Sequence, residues 1–208
     1  MDFAAARKIM VDSQVRVNDV TNRDLQAAML AVPRERFLPQ ARAYAAYAEV
    51  EPEIAGGRKL MMARDLSKLL MALDPRSGER ALTIAGPYAA AVLARLGLTV
   101  TAQDAAAVFE VCDGVLAEAG VTTVVAPVGS PSGEGWDLIV SEAATPGRPD
   151  AWLAALRPGG RMAVVERSGP VGKAVLYVKG QDGVSRRELF DAAPPVLAEL
   201  SPEPTFAL

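Results

Sequence analysis

The stretch "ERALTIAGPYAAAVLARLGLTVTAQD", residues 79–104, decides the fold of this chain. It contains a short apolar strand, an alanine-rich amphipathic helix, a second apolar strand and an acidic residue, Asp104, where the second strand ends. This order predicts a βαβ unit, in which a helix joins two parallel strands and packs on the sheet. The loop after the first strand of such a unit is a common place for a nucleotide cofactor to bind.

The same alternation of strands and helices continues beyond residue 104, which predicts an α/β fold with a mostly parallel sheet and helices on both faces. Strands are predicted at 80–84, 98–102, 121–126, 136–141, 160–166 and 173–179, and helices at 88–96, 105–119 and 149–156. A turn at Gln181-Asp182-Gly183 predicts a C-terminal antiparallel hairpin. The proline-spaced tail after Pro194 is expected to lie along the surface.

The first 74 residues have a helical pattern. One helix is predicted to begin at an N-cap, Thr21 or Asn22, and to end before Pro33, and a second is predicted in "MARDLSKLLMALDP", residues 62–75. Residues 44–62 between them are predicted to be an irregular linker with a turn at Gly56-Gly57. We therefore expect an N-terminal helical segment, residues 1–74, packed on an α/β domain, residues 75–208, in one folding unit.

Composition limits the possible partners and the location. The 208 residues carry 25 Asp and Glu against 22 Lys and Arg, without a basic cluster, so no nucleic-acid partner is expected. Apolar stretches fall well short of the roughly 18 residues that span a bilayer, so no membrane segment is expected. The residues after Met1 lack the pattern of a secretory signal, and the single cysteine, Cys112, fits a reducing compartment, so we expect a cytoplasmic protein.

The chain contains no histidine. Catalysis by Ser-His or Cys-His pairs and histidine metal sites are therefore excluded, and with one cysteine no structural zinc site is expected. Any chemistry must use carboxylates, hydroxyls, backbone amides or a bound cofactor. We assign no catalytic residue and no metal ligand from the sequence.

Ligands of an open α/β sheet collect at the carboxyl ends of its strands. This rule brings together the loop Thr83–Tyr88, Asp104, the segment around Pro127, and Glu142, which is expected to point toward the cleft. Asp104 has two interpretations: it could accept hydrogen bonds from ribose hydroxyls, or it could cap the helix that follows. The loop Thr83–Tyr88 also has two interpretations. In the first, the backbone at Gly86 approaches a ligand. In the second, the loop is an ordinary strand-to-helix turn, of which Pro87 is typical because it lacks an N–H.

Several motifs resemble the protein-L-isoaspartate O-methyltransferase family. They are "MVDSQVRVNDVTNRDLQAAMLAVPRERFLP" (10–39), "VLARLG" (92–97), "WDLIVSEAA" (136–144) and "LRPGGRMAVV" (156–165). The resemblance implies a Rossmann-like class I methyltransferase fold, S-adenosylmethionine as cofactor, and methyl transfer to the free carboxylate of an isoaspartyl residue in a protein or peptide. It places the cofactor at Gly86, Tyr88 and Asp104, with Asp104 at the ribose-binding acidic position. The rule on strand ends adds Pro127 and Glu142 to the predicted cofactor-binding residues.

Two segments depart from the family pattern. The family's glycine-rich motif, D-V-G-x-G-x-G-Y, corresponds here to "TIAGP" before Tyr88, which is about two residues shorter. The substrate motif G-Q-T-I-S-Q-P corresponds to residues 57–63, where Met61 replaces the serine and cannot donate a hydrogen bond. Arg58 or Lys59 could hold a carboxylate there, or both could be solvated. These departures leave a second hypothesis, a catalytically silent family member that acts as a binding or scaffolding protein.

Overall fold

The computed structural model describes residues 1–201. Within these residues there are six α-helices: α1 Phe3–Met10, α2 Arg23–Ala31, α3 Ala63–Leu73, α4 Pro87–Arg95, α5 Ala106–Glu118 and α6 Asp150–Ala155. Nine strands accompany them: β1 Glu53–Ala55, β2 Arg58–Lys59, β3 Arg80–Ile84, β4 Thr99–Asp104, β5 Thr122–Val125, β6 Trp136–Thr145, β7 Leu156–Glu166, β8 Gly172–Lys179 and β9 Val184–Ala192.

Seven strands form one sheet in the order β5-β4-β3-β6-β7-β8-β9. Pairing is parallel from β5 to β7, and the β7–β8 and β8–β9 pairs are antiparallel. The predicted α/β, Rossmann-like architecture and the C-terminal hairpin are confirmed. Strands β6 and β7 are longer than predicted, because β6 continues through the buried residues 142–145 and β7 already begins at Leu156.

In the N-terminal segment, Asn22 is the N-cap of α2, and its side-chain oxygen accepts hydrogen bonds from the amides of Asp24 and Leu25. The prediction of an irregular linker over residues 44–62 is wrong in part. Residues 40–47 form a 3-10 helix, and β1 and β2 pair as a small antiparallel hairpin around Gly56 and Gly57. Both glycines have positive φ, the backbone conformation for which the turn needs them.

The hydrophobic core lies on both faces of the sheet. On one face, apolar side chains of α1, α2 and α3 pack in a cluster that also contains Leu138 and Val165 of the sheet. On the other face, Trp152 and Trp136 pack with Leu82 and Met162. Cys112 and Met61 are also buried. We propose that residues 1–74 and 75–208 fold as one unit, since this core runs through both.

The C-terminal tail does not simply lie along the surface, so that prediction is wrong for the residues described. After β9, residues 194–200, here called the strap, cross the carboxyl end of the sheet. The amide of Ala144 in β6 donates to the carbonyl of Pro195 over 2.9 Å, and the amide of Leu197 donates to the carbonyl of Ala144 over 2.8 Å. Leu197 is 1% exposed because it enters the core beside α6. Residues 202–208 lie outside the described part.

None of the helices in residues 1–201 is long and apolar enough to cross a membrane.

Candidate functional site

The crevice where ligands of this fold collect lies outside the carboxyl ends of β3 and β6, because the strand order reverses between them. The turn from β3 into α4 passes directly over this point. Ala85 adopts a φ of 52°, Gly86 follows, and Pro87 is the first residue of α4. A Cβ on Gly86 would lie 3.3 Å from the amide nitrogen of Glu142, so the turn packs directly on the backbone of β6.

Glu142 occupies the crevice with its own side chain. It is 1% exposed, and its carboxylate accepts hydrogen bonds from the amide of Ala89 in the first turn of α4, over 2.8 Å, and from the amide of Met61, over 3.4 Å. Burial raises the pKa of Glu142 to about 7, although the nearby Arg34 guanidinium and the amide hydrogen bonds oppose this rise. An internal carboxylate therefore binds amides at the helix N-terminus, a position that attracts anions.

A buried arginine, Arg34, binds the backbone of Met61, whose amide bonds Glu142. Arg34 donates from Nε to the carbonyl of Ala46 over 2.7 Å and from Nη2 to the carbonyl of Met61 over 2.5 Å. Its guanidinium carbon lies 4.7 Å from the centre of the Tyr88 ring, and the edge of Phe37 packs against the same ring. Tyr88 is fully buried, and desolvation raises its pKa to about 12. Tyr88 therefore stacks within the protein rather than facing the crevice.

Asp104 lies at the carboxyl end of β4, where it binds Arg58. Its Oδ1 accepts hydrogen bonds from Arg58 Nε and from the amide of Ala105, both over 2.8 Å. Asp104 does not cap α5, because it bonds only the adjacent amide and the N-cap position belongs to Ala105. Burial raises the pKa of Asp104, and the Arg58 guanidinium opposes the rise.

Arg58 joins Asp104 to the strap. Its Nη2 lies 2.6 Å from Glu199 Oε1 and its Nη1 lies 3.3 Å from Glu199 Oε2, so the guanidinium binds the carboxylate in a bidentate ion pair. Hydrogen bonding to Arg58 lowers the pKa of Glu199. Arg58 is 8% exposed, whereas Lys59 is exposed. Lys59 is therefore solvated, whereas Arg58 is not, and the carboxylates that Arg58 binds belong to the protein itself.

A groove of about 470 Å³ lies beside this ion-pair triad. Pro127 is exposed on its wall, and Gln103 fixes the loop behind it by donating to the carbonyls of Pro127 and Ser130. The groove is lined by Arg58, Ala105, Ala106, Glu199 and residues 125–129.

Three buried polar atoms near the carboxyl ends of β3 and β4 lack a hydrogen-bond partner among residues 1–201. They are Asp104 Oδ2, Thr83 Oγ1 and the Tyr88 hydroxyl. A buried polar atom without a partner is costly, so each one is a place where a bound polar group could be accommodated. Asp104 Oδ2 is the most suitable, because the residues that bond the other oxygen of this carboxylate, Arg58 and Ala105, line the groove.

The predicted site residues fall into two groups. Gly86, Tyr88 and Glu142 come together at the β3–α4 turn. There Tyr88 packs against Arg34, and Glu142 bonds the amide of Ala89. Pro127 lines the groove, and the buried Asp104 bonds Arg58 and Ala105, which line it too. The residues fit the nucleoside half of S-adenosylmethionine, which could use Asp104 Oδ2. They do not fit its methionine half in this conformation, because Gly86 packs on β6 and Glu142 binds the amides of α4.

Two residues of the site were missed from the sequence. Arg34 lies in the "VPRERFLP" stretch, and an arginine beside apolar residues just after a helix end could have indicated burial. Glu199 carries no local signal, since its partner Arg58 lies 141 residues earlier. Among residues 1–201, no group of three or more carboxylate or cysteine side chains could hold a metal ion.

The family model and two curated relatives that match this chain belong to one family. Residues 6–189 match the family model of protein-L-isoaspartate(D-aspartate) O-methyltransferase. A protein-L-isoaspartate O-methyltransferase of Methylorubrum extorquens is 34% identical over 196 residues, which cover 90% of this chain and 86% of the relative. One of Rhodopseudomonas palustris is 34% identical over 168 residues, covering 77% and 69%.

Solved structures agree on the fold. A structure described as a putative protein-L-isoaspartate O-methyltransferase from Plasmodium falciparum, in complex with S-adenosyl-L-homocysteine, has a TM-score of 0.78 at 14% identity. The match covers 93% of this chain and 98% of that one. Another protein-L-isoaspartate O-methyltransferase has a TM-score of 0.77 at 18% identity, covering 93% and 67%.

Proposed function

Because the chain belongs to the protein-L-isoaspartate O-methyltransferase family, we propose that it binds S-adenosylmethionine and transfers a methyl group to a carboxylate of a protein or peptide. The observation that carries this proposal is the buried Asp104 Oδ2, which has no hydrogen-bond partner among residues 1–201, at the position where the family pattern has its ribose-binding acidic residue. The other oxygen of this carboxylate bonds Arg58 and Ala105, which line the groove. When bound, the cofactor supplies a methyl group already activated by its sulfonium. The protein then has to position the two reactants, since the acceptor carboxylate is already a nucleophile.

Different residues of the chain would bind the cofactor and the acceptor carboxylate. Asp104 would accept a hydrogen bond from a ribose hydroxyl while Arg58 keeps its contact with the other carboxylate oxygen. Pro127 and Ala105 would contact the nucleoside through the apolar walls of the groove. The guanidinium of Arg58 also faces this groove, where it can bind a carboxylate in the fork geometry that arginine favours. The methionine half of the cofactor can enter the crevice only if the Glu142 carboxylate moves away from the amide of Ala89 in α4.

A calorimetric titration of the full chain with S-adenosylhomocysteine tests the cofactor. We expect binding to the natural protein, and a roughly 10- to 100-fold weaker affinity for Asp104→Asn, because the acceptor loses the charge that strengthens its hydrogen bond. Asp182→Asn, the same change in an exposed turn, is the control and should bind like the natural protein. Absence of binding at millimolar concentration would contradict the proposed cofactor.

Methyl transfer itself is measured with radiolabelled S-adenosylmethionine. An isoaspartyl peptide and its ordinary aspartyl counterpart, offered separately, distinguish isoaspartyl repair from methylation of other protein carboxylates. Label on the first peptide alone would identify repair, and label on both would identify a broader acceptor range. Bound cofactor with neither peptide labelled would argue against methyl transfer to these acceptors.

A second candidate function is a binding protein that transfers no methyl group. One contact favours it: the side chain of Glu142 already bonds the amides of Ala89 and Met61, where a cofactor loop would otherwise open. The family match supports the first candidate and not this one. The same calorimetric titration separates them, since the second candidate predicts no heat with S-adenosylhomocysteine.

A further inference from the structure

The strap has the features of a peptide bound in a recognition cleft. Its backbone pairs with the end of β6 through Ala144, in the manner of an extended peptide added beside a strand. Leu197 inserts into the core as an apolar anchor. Two residues later, the carboxylate of Glu199 is held by the fork of Arg58.

The surroundings of the strap are open rather than tightly packed. The groove beside Arg58 and Glu199 continues toward a second one, of about 430 Å³, which the strap enters with Leu200. A third, of about 530 Å³, is lined by Val196 and Ser201 of this segment and by Arg167. Three grooves thus border the strap and leave space for other side chains beside it. Together we call them the cleft.

The strap is attached at its beginning by a contact that precedes Leu197 and Glu199. Arg167 Nη1 donates to the carbonyls of Ala193 and Pro194 over 2.7 and 2.9 Å. Beyond this point the polar side-chain contact of the strap is the pair of Glu199 with Arg58, and Glu199 is about half exposed. Release of that pair and of Leu197 would free the cleft while Arg167 keeps the segment attached.

We propose that the strap is an intramolecular ligand of the acceptor cleft, and that the cleft takes extended acidic peptides in which an apolar residue precedes a carboxylate by two positions. Arg58 binds this carboxylate, whether it comes from Glu199 or from another protein. This inference rests on the proposed function in taking a protein carboxylate as the acceptor, and it adds the sequence context of that acceptor. It concerns binding alone, so it can be tested without the cofactor.

The probe is a fluorescently labelled peptide with the sequence PPVLAELS, residues 194–201, and its partner is the same peptide with glutamine in place of glutamate. Binding is measured by anisotropy to the natural chain and to Glu199→Gln and Leu197→Ala/Glu199→Gln, which weaken the strap. We expect at least one of the two variants to bind the glutamate peptide about 10-fold or more tightly than the natural chain, because the internal competitor is weakened. On that variant, the glutamine peptide should bind about 10-fold more weakly, since its hydrogen bonds lack the charge.

Two further proteins make the result decisive. Arg58→Gln, added to the weakened strap, should remove the preference for the glutamate peptide. Glu134→Gln, an identical change in an exposed loop, should bind like the natural chain. Thermal melts confirm that each variant folds, and amide exchange at Leu197 reports release of the strap.

The inference is overturned if neither weakened variant binds more tightly than the natural chain, or if the two peptides bind equally. Either result can occur while the chain still binds S-adenosylhomocysteine, which would leave the proposed function standing. Conversely, glutamate-dependent peptide binding without any cofactor binding would support the cleft and remove the methyltransferase proposal.

Discussion

Replacement of Arg34 by methionine is expected to lower the free energy of unfolding by about 3 kcal/mol. The guanidinium is fully buried and donates to the carbonyls of Ala46 and Met61, so methionine would leave two buried acceptors without donors, at roughly 1–3 kcal/mol each. The loss of the contact with the face of Tyr88 adds to this cost. Removal of Nη1, which has no partner among residues 1–201, offsets part of it.

Thermal denaturation measures this effect. A loss of about 3 kcal/mol corresponds to a fall of roughly 6–12 °C in Tm for a chain of this size. Arg36→Met is the matched control, because Arg36 lies two residues away and pairs with Glu118 at the surface. Surface pairs contribute little, so the control should melt close to the natural protein. Equal melting temperatures for the two variants would show that Arg34 is not a structural support of the site.

Replacement of Glu142 by glutamine is expected to change how stability depends on pH. Burial raises the pKa of Glu142 from its ordinary value of 4.5 to about 7, so the folded protein binds a proton here more tightly than the unfolded chain does. Between these two values, stability therefore falls as pH rises, and it levels off above about pH 7. The difference between the two pKa values corresponds to roughly 3 kcal/mol.

Urea unfolding of both proteins between pH 4.5 and 8 isolates this contribution. Glutamine cannot ionise, so its stability relative to the natural protein should increase by roughly 3 kcal/mol across this range. The other titrating groups are the same in both proteins, so their contributions cancel in the difference. Glu134→Gln, at an exposed position, should give a difference that stays constant with pH. A constant difference for Glu142→Gln as well would mean that this carboxyl is not held in a desolvated site.

The sequence predicts the fold well because the fold depends on local patterns. The apolar strand 80–84, the helix after Pro87 and the turn at 181–183 each carry their signal within a few residues. The site is less predictable, because its contacts join distant segments. Arg58 and Lys59 are adjacent in sequence, yet one is buried between two carboxylates and the other is exposed.

The β3–α4 turn is predicted by the sequence only in part. The short loop and Pro87 predict a direct entry into the helix, and the structure has Pro87 as the first helical residue. The sequence does not indicate that Glu142, more than 50 positions later, supplies the carboxylate that bonds the first turn. Likewise, proline spacing in the tail predicts a surface segment and gives no sign that Leu197 is buried. Pairings of this kind depend on topology, which places β6 beside β3 in the sheet and brings the strap to the end of β6.

The strap remains covalently attached beside the cleft that it fills, and this attachment sets a threshold for any competitor. A segment tethered by a short flexible connection acts at an effective concentration of order millimolar. A free peptide with the same contacts therefore competes poorly at cellular dilution. Partners that are abundant, or that are brought close by a second point of attachment, would gain access first, so selectivity would depend on local crowding of acidic segments as well as on their sequence.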